Sequence, residues 1–224
     1  MDKKSMDSNI NQIRTYFKRI ILSDLNIDSS MDKIISWSNY KAGIDKSVCY
    51  QREYQNLLDN QQYSILFNDS SFLQIYYKFD DKGALELARL AYYPHPKKIE
   101  ETTDELFEYA EDSSDSMQSI YLEMIDLLED DEEIFSNNSH IRFDYDNNVK
   151  SHSKAHLQFG GINEFRITSS KFISPFIFLD SITKHFFKDW HKEASQKQKY
   201  IEALRASVRL EFSFGETDQF YITT

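Results

Sequence analysis

The sequence predicts an α+β fold: a central antiparallel sheet with helices at the N-terminal end, in an acidic insertion and after the central strands. Three observations carry this. Residues 140–168, HIRFDYDNNVKSHSKAHLQFGGINEFRIT, contain three successive runs in which apolar and polar residues alternate, the period of half-buried strands. Further strand-like runs at 62–67, 71–79 and 85–93 precede them, and apolar residues at helical spacing occupy both ends. The chain has 224 residues, 40% hydrophobic and 15% aromatic, enough for a substantial core. We read 1–60 as an N-terminal helical segment and 61–224 as the antiparallel core, together one compact domain.

In chain order, Ile10, Ile13, Phe17, Ile20 and Ile21 fall near a 3.6-residue period, so a helix is predicted over 8–25 with Asp7 or Ser8 as its cap. A second short helix is expected at 30–38 and a third near 50–59. The strand at 71–79 meets the turn Asp80-Asp81-Lys82-Gly83, whose glycine can take positive φ, so 85–93 returns as its hairpin partner. Pro94 and Pro96 end that strand because neither can donate to a ladder. From 100 to 133 the composition turns acidic. Met117, Ile120, Tyr121, Met124, Leu127 and Leu128 give a helix over 115–129 one apolar face. The run Glu129-Asp130-Asp131-Glu132-Glu133 at its end opposes the helix dipole and reads as a solvated loop or a docking surface for a basic partner. Ser174-Pro175 has the form of a helix start, with Phe176, Leu179, Ile182, Thr183, Phe186 and Phe187 facing the core to about 188. A polar stretch over 194–199 leads to a helix near 199–207, and 209–214 with 219–223 reads as a closing hairpin.

Charge narrows the function classes. The chain carries 26 Lys and Arg against 37 Asp and Glu, a formal net charge of -11. Such a chain lacks the basic footprint that nucleic-acid binding requires, so nucleic acid is expected only through a partner. An electropositive partner protein fits better. No apolar run approaches a bilayer span, and MDKKSMDSNI lacks the apolar region of a signal peptide, so the expectation is cytoplasmic, with no membrane contact. The single cysteine, Cys49, excludes an internal disulfide and a cysteine-based zinc site. Neither metal nor cofactor is expected.

With the apolar faces of the three central strands turned inward, Arg142, Asp144, His156, Gln158 and Arg166 share the opposite face, with His152 in the adjoining turn. Histidine moves protons near neutral pH, and an arginine beside it can hold a phosphate. His156 with Arg166 and Asp144 is therefore the candidate catalytic group of a metal-independent nuclease; Arg142, His152 and Gln158 are candidate binding residues. An ordinary ion-paired strand face would contain the same residues, with His156 at most half buried. No phosphate loop or nucleophile elbow is present, and Gly160-Gly161 reads as a hairpin turn. Asp144 and Asp146 share a strand face without the lysine a paired-carboxylate nuclease brings.

The ordered blocks ARLAYYPHP at 88–96, RFDYD at 142–146, HSKAHLQFGG at 152–161, FRI at 165–167 and SPFIF at 174–178 resemble a bacterial domain-of-unknown-function family, family 2290, over roughly 60–190. The chain departs from that pattern with Thr168 in place of a proline and Gln158 in place of a second histidine. The resemblance implies a gene encoded beside a helicase in an anti-phage defence pair. It assigns suspicion of a shared functional face to Arg142, Asp144, His152, His156 and Arg166. Three readings follow: an accessory or effector subunit acting with that helicase, the metal-independent nuclease, or an acidic protein-binding module with no nucleic-acid role.

Overall fold

A computed structural model describes residues 2–24, 27–28, 33–41, 48–98, 102–129, 135, 137–150, 153–160 and 166–213. The chain order is α1 (Lys3–Tyr16), β1 (Ile21–Ser23), β2 (Ile27–Asp28), β3 (Ile34–Trp37), α2 (Tyr50–Asp59), β4 (Ile65–Phe67), β5 (Phe72–Phe79) and β6 (Leu85–Tyr93). Then follow α3 (Thr103–Glu111), α4 (Asp115–Glu129), β7 (Ile141–Asp146), β8 (Ala155–Phe159), β9 (Arg166–Thr168), α5 (Pro175–Phe186), α6 (Lys188–Ala194) and α7 (Gln198–Val208). The α+β expectation holds. The sheet runs β1-β4-β5-β6-β7-β8-β9 without closing on itself, and β2 and β3 pair off that path. Every pairing is antiparallel. The chain forms two compact units, Met1–His95 with Ser139–Thr224, and Pro96–Asn138.

Local chemistry sets the elements. Asp2, not Asp7 or Ser8, caps α1 by accepting from the Ser5 backbone N–H at 2.8 Å. The helix stops at Tyr16 rather than 25. Phe17 and Ile20 are still buried, so the apolar period continued through a turn, but Ile21 pairs with Phe67 as a strand. The expected helix at 30–38 is likewise strand at Ile34–Trp37. Its β-branched and aromatic residues suit a ladder, and Ile34 and Ile35 pair with Lys78 and Tyr77. β4 takes the other end of the same β5 edge, through Ile65↔Leu73 and Leu66↔Phe72. The β5–β6 turn is as expected: Gly83 has φ +77°, and Asp80 Oδ1 accepts from the backbone of Lys82 and Ala84, both at 2.8 Å.

Along β5, β6 and β7, Ile75, Tyr77, Ala88, Leu90, Tyr92, Phe143 and Tyr145 are buried in one cluster with Ile10, Ile13, Phe17, Phe176, Leu179 and Tyr200. Helices α1, α5 and α7 thus supply the other side of the main core. Ser174 and Pro175 start α5 as the sequence predicts. Asn9 joins it: its Oδ1 accepts the Phe176 N–H at 2.9 Å, and its Nδ2 donates to Ser207 Oγ at 2.7 Å. Asp180 Oδ1 accepts from Tyr200 Oη at 2.6 Å and lies 3.1 Å from His191 Nε2, tying α5 to α6 and α7. Phe186, expected in the core, is exposed. Helix α6 occupies residues left without an element in the sequence reading. Most of the expected closing hairpin, from 214 onward, lies outside the described residues, as do Asp130–Glu133.

Candidate functional site

The opposite face of the sheet is built from the alternate residues of the same strands. Reading across register, Tyr76, Arg89, Asp144, His156 and Thr168 form one rung across β5 to β9. Gln74, Ala91, Arg142, Gln158 and Arg166 form the next. The five residues that alternation placed on one face are therefore neighbours in space. His152 lies outside the described residues.

These side chains hold one another. Arg142 Nε donates to Asp144 Oδ2 at 2.7 Å and its Nη2 to Gln158 Oε1 at 2.6 Å, so its planar fork bridges two strands. Arg89 Nε lies 3.6 Å from Asp144 Oδ1, leaving one carboxylate between two guanidiniums. His156 Nε2 stands 3.7 Å from Asp144 Oδ2, longer than a hydrogen bond. Arg166 is on the exposed margin of β9. The face is also less open than expected: His156 is only 6% exposed and Gln158 is buried. A half-buried histidine was anticipated because a polar strand face was assumed to be solvated. Part of this face is in fact roofed, since Tyr50 and Tyr54 of α2 cluster with Phe72, Ala91 and Tyr93.

Beside that roof, next to the Arg142 rung, is a pocket walled by Trp37, Tyr40, Gln74, Tyr76, Arg89, Tyr93 and Arg142. Tyr40 stacks on Tyr76 with centroids 4.7 Å apart, and Trp37 Nε1 donates to Gln62 Oε1 at 2.9 Å, fixing the indole. Burial raises the Tyr76 hydroxyl pKa, so the charge of the wall comes from its arginines, Arg89 and Arg142. The sequence reading missed these residues: an irregularity in the ladder between Lys78 and Phe79 sets Tyr76 opposite Arg89, which simple counting outward from the 80–83 turn does not give.

The end of the face holds His140. Tyr93 Oη donates to Glu53 Oε1 at 3.2 Å, and His140 Nδ1 lies 3.8 Å from Glu53 Oε2. Burial, then the Arg142 guanidinium, pushes the His140 imidazole down to about 4, with Asp144 opposing; it is neutral near pH 7. The arrangement as a whole is an ion-paired and hydrogen-bonded network beside an aromatic pocket, suited to positioning a polar or anionic group. Proton transfer by His156 would require a substrate to reach a buried ring.

Among the described residues there is no cluster of three or more His, Cys, Asp or Glu able to hold a metal ion, and no helix is long and apolar enough to cross a membrane. No curated protein and no solved structure matches the chain. A family model does, over residues 21–222, reaching well beyond the blocks at 60–190 and taking in α2, the pocket and both rungs. The chain belongs to the family of uncharacterized conserved proteins designated DUF2290.

Proposed function

We propose that the protein is an accessory subunit of a bacterial anti-phage defence system, acting in the cytoplasm with a helicase encoded beside it. Nucleic acid is met through that partner. The observation that carries this reading is the net charge of -11, which disfavours direct binding to a polyanion and favours a partner with a positive surface. The polar sheet face supports it, because Arg142 has two of its donors committed to neighbours and His156 is buried. Both observations weigh against turnover at this face and so support the accessory reading over the nuclease.

Co-purification with the neighbouring helicase at low salt tests the proposal, with the isolated chain run in parallel against labelled DNA and RNA. Association with the helicase and no mobility shift at physiological salt is the expected pair of results. Failure to associate with or without nucleic acid would remove the accessory reading. Tight, salt-sensitive binding by the isolated chain would remove the indirect route to nucleic acid.

A second reading, a metal-independent nuclease using His156, Arg166 and Asp144, is favoured by one contact, the 3.7 Å approach of His156 Nε2 to Asp144. Cleavage by the purified chain in excess chelator, lost in Arg166→Ala, would select it.

A further inference from the structure

The unit Pro96–Asn138 has a surface with no evident role in its own stability. Its helices α3 and α4 bury Leu106, Ala110 and Ile125 and meet at the rings of Tyr109 and Tyr121, 5.8 Å apart. Met117, Ile120, Tyr121 and Met124 recur at three- and four-residue spacing, so they form one stripe of α4. Met117 and Ile120 are exposed on that stripe, and Tyr109 is exposed beside it on α3. Of the eight large apolar side chains exposed among the described residues, five belong to this unit: these three with Phe107 and Leu122.

The same helices concentrate the chain's charge. From Thr102 to Glu129 there are nine carboxylates and no Lys, Arg or His, against a net charge of -11 for the whole chain. Asp104, Glu105 and Asp115 suit the first turns of their helices, but the exposed apolar side chains and the rest of the negative charge do not stabilise the hairpin by themselves. Exposed apolar area forgoes the benefit of burial, and Asp126 near the C-terminal end of α4 opposes its dipole. A single occupant relieves both: an apolar stripe to cover the ridge, flanked by positive charge.

We propose that the α3–α4 hairpin is the docking surface for a basic amphipathic helix of a partner protein. Methionines beside aromatic rings adapt to the side chains they meet, and a stripe at this spacing matches the anchors of a helix laid against it. The charge selects among occupants. A second copy would bring nine more negative charges against the first nine, and nucleic acid or anionic lipid carries the same sign. The proposal deepens the accessory reading, and rests on it only for the identity of the protein that carries the helix.

The test titrates the full chain calorimetrically with a synthetic peptide of Leu and Lys in amphipathic helical order, and with a scrambled peptide of identical composition. The ordered peptide should bind at least about tenfold more tightly than the scramble, roughly 1.4 kcal/mol, and high salt should weaken it. Met117→Glu with Ile120→Glu should weaken it by a further factor of about ten or more without lowering the melting temperature, because both side chains are exposed. Leu122→Glu, off the stripe, should leave binding unchanged. Equal binding of both peptides, no binding, an undiminished double variant, or an equal loss with Leu122→Glu would overturn the assignment. So would a dimer of the wild-type chain that the double variant dissociates. The helicase separates the two proposals. If it co-purifies equally with wild type and double variant, the hairpin assignment falls and the accessory reading stands. If the peptide binds as expected and the helicase does not co-purify, the accessory reading falls and the docking surface stands.

Discussion

Gly160 lies against the imidazole of His140. A Cβ at that position would sit 2.6 Å from Nδ1 and 2.7 Å from Cε1, while the Gly160 N–H donates to the His140 carbonyl at 3.0 Å. Tyr93 packs on the same ring with centroids 4.7 Å apart, so the imidazole has little room to yield. The glycine read from sequence as a turn residue is thus also a packing residue.

Gly160→Ala should therefore destabilise the fold by about 1–3 kcal/mol, the usual cost of overpacking. Adding His140→Ala removes the obstructing ring, and the double variant should lose less than the two single variants combined. Thermal melts of all four proteins measure the coupling. Strict additivity would show that the contact is relaxed without strain.

The same histidine gives stability a pH dependence. Its folded pKa, about 4, lies below the ordinary value near 6.5. Between those values the unfolded chain binds the proton and the folded chain does not, so stability falls as pH drops from about 6.5 to 4. The full effect is about 3 kcal/mol. His140→Gln should flatten that part of the pH profile relative to wild type in denaturant titrations, and parallel profiles would contradict the assignment.

His156 and Arg166 should separate in stability. His156 is buried on its strand while Arg166 is exposed. His156→Ala is expected to cost about 2 kcal/mol and Arg166→Ala less than about 0.5 kcal/mol. Lost phage protection in Arg166→Ala at an unchanged melting temperature would then report function directly. For His156→Ala the same loss must be compared at matched folded fraction. A large drop in melting temperature for Arg166→Ala would reverse this ordering.

Asn9 should be among the more sensitive polar positions. It satisfies the first turn of α5 and the hydroxyl of Ser207 from within the core. Asn9→Leu leaves a buried N–H without its acceptor, at about 2–3 kcal/mol. Guanidinium unfolding should show a lower midpoint with an unchanged slope. An unchanged midpoint would mean that water replaces the amide.

Much of this was legible in the sequence where one local rule decided the outcome. Alternation placed Arg142, Asp144, His156, Gln158 and Arg166 on one face because side chains of a strand must alternate. Ser174-Pro175 and the 80–83 turn likewise carried their own signatures. Helix α3 was missed although Thr102 and Glu105 spell its capping box, because a nine-residue helix that buries only Leu106 and Ala110 carries little apolar period. Ile34–Trp37 was misread because its pairing with β5 is a long-range choice that no local pattern contains. The burial of His156 was hidden for a similar reason: alternation tells which face a residue is on, not what covers that face.

The two tryptophans offer separate optical reporters. Trp190 sits in the main core, stacked on Phe17 with centroids 4.8 Å apart, whereas Trp37 walls the pocket beside Arg89 and Arg142. Emission from a Trp37→Phe protein would follow global unfolding through Trp190 alone. Emission from a Trp190→Phe protein would register solvent change at the pocket. A partner or small molecule that settles there would shift one signal and leave the other still.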